Sequence, residues 1–273
     1  MSGDYAEKNP YKDERFMLIR LLSGLALLWA MAPALALEPL SIYTDEWPPI
    51  SFEDGGEVKG MAVDLVNQIQ HRLHQDQPVK LLPWARAYNF LLNRPNVLLF
   101  VLGRTAEREK LMTMVGPVAA SEINLYCRKG EAEALRRLGD KLQVQPVTAF
   151  RSSIFLAVAK QHGFKNIVES TDPVQSALLL HASRVSMWSE GDSVVDNVMR
   201  KAGLPVQEIE LLQPLEKIDL YLAFSRGTDR ATILAWEQTL RDLKRDGSFR
   251  KLYQRWLPGA AAPMQVERVG VEP

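Results

Sequence analysis

The stretch Arg104-Thr105-Ala106-Glu107-Arg108-Glu109 carries the densest chemistry in this chain. It follows the apolar run from Asn96 to Leu102, closed by Gly103, and leads into Met114-Val115-Gly116-Pro117. An apolar run of that length bounded by turn residues predicts a buried strand, and α/β proteins place ligands at the carboxyl ends of such strands. Two guanidinium groups delivered there can hold an anion. Arginine grips a carboxylate through two parallel hydrogen bonds and keeps its charge at any physiological pH. The same spacing also suits a solvated helical turn in which Glu107 and Glu109 balance Arg104 and Arg108, and the local pattern leaves both readings open.

Other chemistries leave thinner traces. His71 and His74 lie three apart, but no third ligand is spaced to join them, so no metal is expected. There is no Gly-x-Ser-x-Gly elbow and no glycine-rich loop to cradle a phosphate, and no cofactor is expected. Cys127 is the only cysteine, follows a predicted strand and has no evident histidine partner. It reads as a buried small apolar residue, and the chain has no internal disulfide to rely on. His162 and His181 fall near helix ends, where they suit the helix dipole.

The elements that must position these residues alternate. Leu40 to Tyr43 reads as a first strand, followed by the turn Trp47-Pro48-Pro49. Met61, Leu65, Ile69 and Leu73 recur every fourth residue with Val66 beside them, which predicts an amphipathic helix packed on a sheet. A second strand ends at Leu82, a short helix spans about Ala85 to Leu92, and the Asn96 to Leu102 strand follows. After Gly116-Pro117 the rhythm restarts. Strands are expected at Glu122 to Cys127, Gln145 to Phe150, Val185 to Trp188, Gln207 to Leu212 and Leu220 to Phe224. Helices are expected at Ser153 to His162, from Asp172-Pro173 to His181, and at Ser193 to Ala202. A long helix capped by Thr228 carries Ile233, Trp236, Leu240 and Leu243 on one stripe, and Ser248 to Leu257 forms a last helix. The βαβ rhythm implies a mainly parallel sheet. The tail from Gly259 is rich in Ala and Pro without periodicity and is expected to be disordered.

The amino terminus predicts export. Met17-Leu18-Ile19-Arg20 is a short basic start, Leu21 to Met31 is an apolar core of signal-peptide length, and Ala34-Leu35-Ala36 offers a small-x-small cleavage pattern. Residues 1–16 read as an over-extended start before an internal Met. The mature chain is expected to begin at Leu37, in the periplasm, with no cysteine at the cleavage site to carry a lipid. The whole chain has 33 basic and 33 acidic residues. With four of each sign in residues 1–36, the mature chain is neutral as well. Neither nucleic acid nor an anionic membrane surface is expected as a partner.

Three segments, in order, resemble the family 3 extracellular solute-binding proteins, the polar amino acid type that serves ABC importers. They are Gly60-Met61-Ala62-Val63-Asp64-Leu65, the Arg104 to Pro117 segment, and Leu243 to Trp256 with its Asp-Gly-x-x-x-x-x-Tyr-x-x-Trp pattern. The similarity covers about residues 39 to 257. It implies an α/β, two-lobe type II periplasmic binding protein fold: lobe one from residues 38–121 and 219–257, lobe two from 122–218. Two crossovers, near Ala119 to Ile123 and Leu215 to Tyr221, would form the hinge. It further implies a monomer that captures a small-molecule ligand and works with the membrane permease of an ABC importer. A membrane sensor as partner, or a dehydratase-like enzyme on the same fold, stand as alternatives.

Carried over by position, Arg108 matches the arginine that grips the ligand carboxylate, and Trp47 the aromatic residue that packs over the ligand. Arg151-Ser152-Ser153 falls at a helix amino terminus whose free N–H groups suit an anion. Glu190 and Asp192 fall near the acidic residue that receives an ammonium group, with the register open between them. The chain departs from the family where hydroxyl residues usually precede the carboxylate arginine. Here Phe100-Val101-Leu102-Gly103 stands, and Thr105 is the first hydroxyl. Trp84, Arg86 and Tyr88 line up where a loop could enter the cleft, and Arg104 and Arg151 add cationic character.

Overall fold

A computed structural model describes residues 39–271. The basic start, the apolar core Leu21 to Met31 and the Ala34-Leu35-Ala36 pattern lie outside the described residues. Strand β1 (Ser41–Thr44) is followed by a hairpin of β2 (Phe52–Asp54) and β3 (Glu57–Lys59), then helix α1 (Met61–Arg72), β4 (Val79–Leu81), α2 (Trp84–Asn93) and β5 (Val97–Gly103). The turn α3 (Ala106–Glu109) leads into the long β6 (Thr113–Arg128), then α4 (Ala132–Arg136), β7 (Val147–Phe150) and α5 (Ile154–Gln161). There follow β8 (Ile167–Ser170), α6 (Pro173–His181), β9 (Met187–Gly191), α7 (Val195–Lys201) and the long β10 (Ile209–Phe224). Helices α8 (Arg230–Arg245) and α9 (Ser248–Trp256) and a final strand β11 (Glu267–Gly270) complete the described chain.

The apolar patterns do what their periods require. Met61, Leu65, Val66 and Ile69 are buried along α1, and Ile233, Trp236, Leu240 and Leu243 along α8. Fully burying each such side chain is worth about 1.5 to 3 kcal/mol, which outweighs the small propensity differences between residues. All seven residues of β5 are buried, as a strand covered on both faces demands. Gly60 starts α1 at φ 129°, and a Cβ there would stand 2.4 Å from the Ile50 carbonyl oxygen, so the turn into the helix has room only for glycine.

One sheet, in the order β4-β1-β5-β10-β6-β9-β7-β8 with β11 on β6, holds these layers. Its two halves meet only through the antiparallel pair of β6 and β10. The first part of β6 pairs with β11 and the last part of β10 with β5, whereas Ile123 to Tyr126 of β6 pair with β9. The pairs Ala119↔Leu220, Ala120↔Asp219 and Ser121↔Ile218 fall between the two halves, and the register shifts on either side of them. These are the two crossovers of a two-lobe α/β fold.

Four expectations need correction, the first being the mainly parallel sheet: β1–β4, β1–β5, β7–β8 and β7–β9 pair parallel, but β5–β10, β6–β10, β6–β11 and β6–β9 pair antiparallel, because the long β6 and β10 run between the halves. Gln207 to Leu212 and Leu220 to Phe224 are not two strands but the ends of one, because the intervening Pro214 is carried in the strand at a point where the register slips. The cap of α8 is Asp229, whose carboxylate accepts from the Thr232 N–H at 3.2 Å, while Thr228 faces Ser225. Within the described residues the tail is ordered: Glu267–Gly270 adds an edge strand to β6, with Glu267 paired to Gly116 and Gly270 to Thr113.

Candidate functional site

The two halves of the molecule touch along a seam to which the strand ends of both contribute. Trp47, in the loop after β1, donates its indole N–H to the Ser193 hydroxyl at 2.9 Å, and its ring packs on Phe155 with centroids 5.3 Å apart. Lys201 pairs with Glu46 at 3.1 Å. Arg108 reaches from α3 to the loop before α5, where Nη2 donates to the Ser152 carbonyl at 3.0 Å.

Arg108 is placed by its own turn. Thr105 caps α3 by accepting the Arg108 backbone N–H at 3.2 Å, which fixes where the side chain leaves the backbone. The guanidinium is buried, donates from Nη1 to the Gly103 carbonyl at 2.6 Å, and lies 5.1 Å and 5.4 Å from the rings of Trp84 and Tyr88. Those two rings stack on each other 5.1 Å apart, so α2 presents an aromatic wall to the arginine. Burial lowers the arginine's pKa, and Tyr88 and Asp45 offset part of the effect.

Two cavities open near this seam, and Arg108 lines the larger. One of about 310 Å³ is lined by Asp45, Trp47, Trp84, Phe150, Phe155 and Glu190, among others. The other, about 550 Å³, is lined by Tyr88, Arg104, Thr105, Arg108, Ser152 and residues of α5. Of the predicted residues, Arg104, Thr105, Arg108 and Ser152 line the larger cavity and Trp47, Trp84 and Glu190 the smaller, while Arg151 and Asp192 line neither.

Glu190 and Asp192 part company. Glu190 is fully buried, faces the smaller cavity, and accepts the Gly191 N–H at 3.0 Å on one oxygen. Burial pushes its pKa up to about 8, and the neighbouring Asp45 adds to the rise; Gly191 and Trp188 oppose it. Its other oxygen has no hydrogen-bond partner of normal geometry among the described residues. Asp192 instead accepts from the Ser121 hydroxyl at 3.0 Å and from the N–H groups of Glu122 and Ser193 at 3.3 and 2.8 Å, which ties it to the crossover strand. Arg151 is exposed and lines neither cavity; its backbone N–H bonds Ser170. Arg104 lies at the edge of the larger cavity, with its guanidinium held by Glu109 at 2.5 Å and Glu267 at 2.8 Å.

Asp45 is the residue that sequence reasoning passed over. It follows directly on β1, at the same carboxyl edge of the sheet that drew attention to Arg108. It is 8% exposed, and burial pushes its carboxyl up to about 7 while Arg108 draws it down. Its Oδ1 has no hydrogen-bond partner among the described residues, and the Glu190 Oε2 has none of normal geometry. Buried carboxyl oxygens without partners are costly, and they mark a place where a cation or a hydrogen-bond donor fits.

Comparison with known proteins agrees with the architecture. Among curated protein sequences none matches. A histidine kinase sensor domain with similarity to periplasmic binding proteins superposes with a TM-score of 0.70 at 17% identity, over 84% of this chain and 99% of that one. The arginine-, lysine-, histidine-binding protein ArtJ from Geobacillus stearothermophilus gives 0.67 at 14%, over 83% and 97%. A putative L-cystine ABC transporter from Listeria monocytogenes gives 0.66 at 18%, over 84% and 100%. At such identities these neighbours speak for the two-lobe type II periplasmic binding fold alone. The model of the bacterial extracellular solute-binding proteins, family 3, matches residues 40–259, and with that span the chain belongs to this family.

Proposed function

We propose that this protein is a periplasmic receptor that captures a small polar solute of the amino acid type, bearing a carboxylate, between its two lobes. It hands that solute to the membrane permease of an ABC importer. The observation that carries the reading is the placement of Arg108. A guanidinium buried at the seam, with one arm on its own lobe and the other on the Ser152 carbonyl across the seam, is where a carboxylate would join the two halves. Lobe one comprises residues 38–121 and 219–257, with the tail strand added to it, and lobe two residues 122–218. The hinge is the paired middle of β6 and β10. A solute stabilises the closed arrangement only through contacts it makes better there than in the open one. The chain reaches the periplasm as a monomer after cleavage before Leu37, and it binds without turnover.

The test is a thermal-shift screen of the mature protein against amino acids, organic acids and amines, followed by titration of the hits. A ligand at 100 times its Kd stabilises by about 2.7 kcal/mol, well within detection. A panel without a single shift would overturn the reading. A ligand recovered chemically changed after incubation would move it to a dehydratase-like enzyme. The likeness to a kinase sensor domain favours one second reading, in which the loaded receptor reports to a membrane sensor. Capture of the loaded protein by a permease or by a sensor ectodomain separates the two.

A further inference from the structure

Asp45 and Glu190 face one cavity from opposite lobes, the first at the end of β1 and the second in β9. Each is nine-tenths or more buried; the Asp45 Oδ1 has no hydrogen-bond partner among the described residues, and the Glu190 Oε2 has only the Trp188 indole N–H beside it, outside normal hydrogen-bond geometry. The charged neighbours do not explain them. Arg108 lies within electrostatic reach of Asp45, but its Nη1 and Nη2 donate to the Gly103 and Ser152 carbonyls. Glu46, also beside Asp45, is matched by Lys201 at 3.1 Å. The nearest ionisable group felt by Glu190 is Asp45 itself, a like charge.

The balance of the wall points the same way. The cavity lining includes the acids Asp45, Glu46, Asp172 and Glu190 against the single base Lys201. Trp47, Trp84, Phe150 and Phe155 supply the apolar part of the same wall, and aromatic faces attract cations through the ring quadrupole. Ionising both carboxyls beside one another across a seam is costly unless something positive lies between them.

We infer that the solute, beside its carboxylate, carries net positive charge, with an amine or guanidinium head between Asp45 and Glu190 and its carbon body along the aromatic wall. The inference rests on the receptor reading above and narrows its solute class. The Asp45 carboxylate is supplied by lobe one and the Glu190 carboxylate by lobe two, so neither lobe alone makes the site. Bridging one group of each lobe is what couples capture to closure. Both carboxyls hold their protons to unusually high pH. A bound cation therefore displaces protons into the buffer.

The test titrates the mature protein with L-arginine, L-lysine and putrescine as cations, with L-glutamine as a net-neutral control, and with L-glutamate and succinate as anions. At least one cation is expected to bind, with a release of protons seen as a dependence of the heat on the buffer's ionisation enthalpy. Asp45→Asn and Glu190→Gln should each weaken that binding about tenfold or more while the circular dichroism stays that of the parent. Binding of glutamate, succinate or glutamine with no cation preferred would overturn the cation assignment and leave the receptor reading standing. Silence across the whole panel would remove both. Parental affinity in both variants would overturn the assignment of these two carboxyls.

Discussion

Gly103, the last residue of β5, lies so close to Ile154, the first of α5, that a Cβ on the glycine would stand 2.9 Å from the Ile154 Cγ1. The contact joins residues on opposite sides of the seam. With a side chain at position 103 the halves could not approach as they do here without displacing α5, whose N-terminal turn is fixed by the Ser153 hydroxyl capping the Leu156 N–H at 3.1 Å.

Gly103→Val is therefore expected to hold the lobes apart. The isolated protein should keep its fold, show a larger radius of gyration by small-angle scattering, and bind the solute found by screening more weakly, chiefly through faster release. Parental affinity with a parental scattering profile would show that the seam does not need this contact.

Arg108→Ala removes the donor to both the Gly103 and Ser152 carbonyls and, on the proposed function, the partner of the solute's carboxylate. Truncating a buried, hydrogen-bonded charge typically costs about 2 to 5 kcal/mol, so affinity should fall by well over tenfold. Arg108→Lys keeps the charge but not the two-pronged geometry and should recover only part of the loss. Arg104→Ala is the control. Its ion pairs to Glu109 and Glu267 are partly exposed, worth about 1 kcal/mol or less, and its loss should leave affinity near the parent's. Isothermal titration of the three variants decides whether position 108 or 104 holds the anion.

Much of this arrangement was legible in the chain, for identifiable reasons. The stripes of α1 and α8 and the apolar run of β5 bury one face or both, and burial writes itself into residue type. Arg108 was legible because a strand end places it. Asp45 satisfies the same strand-end argument, and a single acidic residue between Thr44 and Glu46 simply carries no pattern of its own. The choice between Glu190 and Asp192 depended on where β9 ends: two apart they would share a strand face, but the strand stops at Gly191 and Asp192 turns to Ser121, a tertiary fact. β11 was illegible because four residues pairing with a strand some 150 positions earlier need no periodicity and follow a stretch that looks like linker. The unity of β10 was hidden by Pro214, which local rules place outside a strand.

The buried carboxyls set a pH dependence. In the fold Asp45 and Glu190 titrate near 7 and 8, against ordinary values of 3.8 and 4.5. Over the interval between, the native state holds more protons than the unfolded one, so their contribution to stability is present at acid pH and is lost as pH rises. Lys244 acts in the opposite sense, but only above about 7, where its native form releases a proton that the unfolded chain keeps. Between pH 5 and 7 the carboxyls act with Lys244 charged in most molecules of both states. Urea titrations over that range should show the ligand-free protein losing stability with rising pH, and the Asp45→Asn, Glu190→Gln double variant should show a flatter profile. A slope unchanged in the double variant would assign the dependence to other groups.

The tail strand should matter for stability, because it closes a polar network that the rest of the chain leaves open. Lys244 is 4% exposed and donates to the carbonyls of Pro117 at 2.6 Å and Gln265 at 2.7 Å, so one of its two acceptors belongs to the tail. Glu267 accepts from the Tyr221 hydroxyl at 2.5 Å and from Arg104 at 2.8 Å, which ties β11 to β10 and to the loop before α3. Ending the chain after Leu257 removes the Gln265 carbonyl, the Glu267 carboxylate and the pairing along Thr113 to Gly116. It leaves a buried ammonium short of a partner, which is costly. The truncated protein is expected to lose about 2 kcal/mol or more, and a domain of this size shifts by about 2 to 4 °C in Tm per kcal/mol. Lys244→Met separates the two causes. In the truncated chain it removes the stranded charge and should restore part of the loss, whereas in the full chain it breaks a satisfied pair of bonds and should destabilise. Opposite signs in the two backgrounds support the network. A truncated protein that melts with the parent would show that β11 rests on lobe one without holding it.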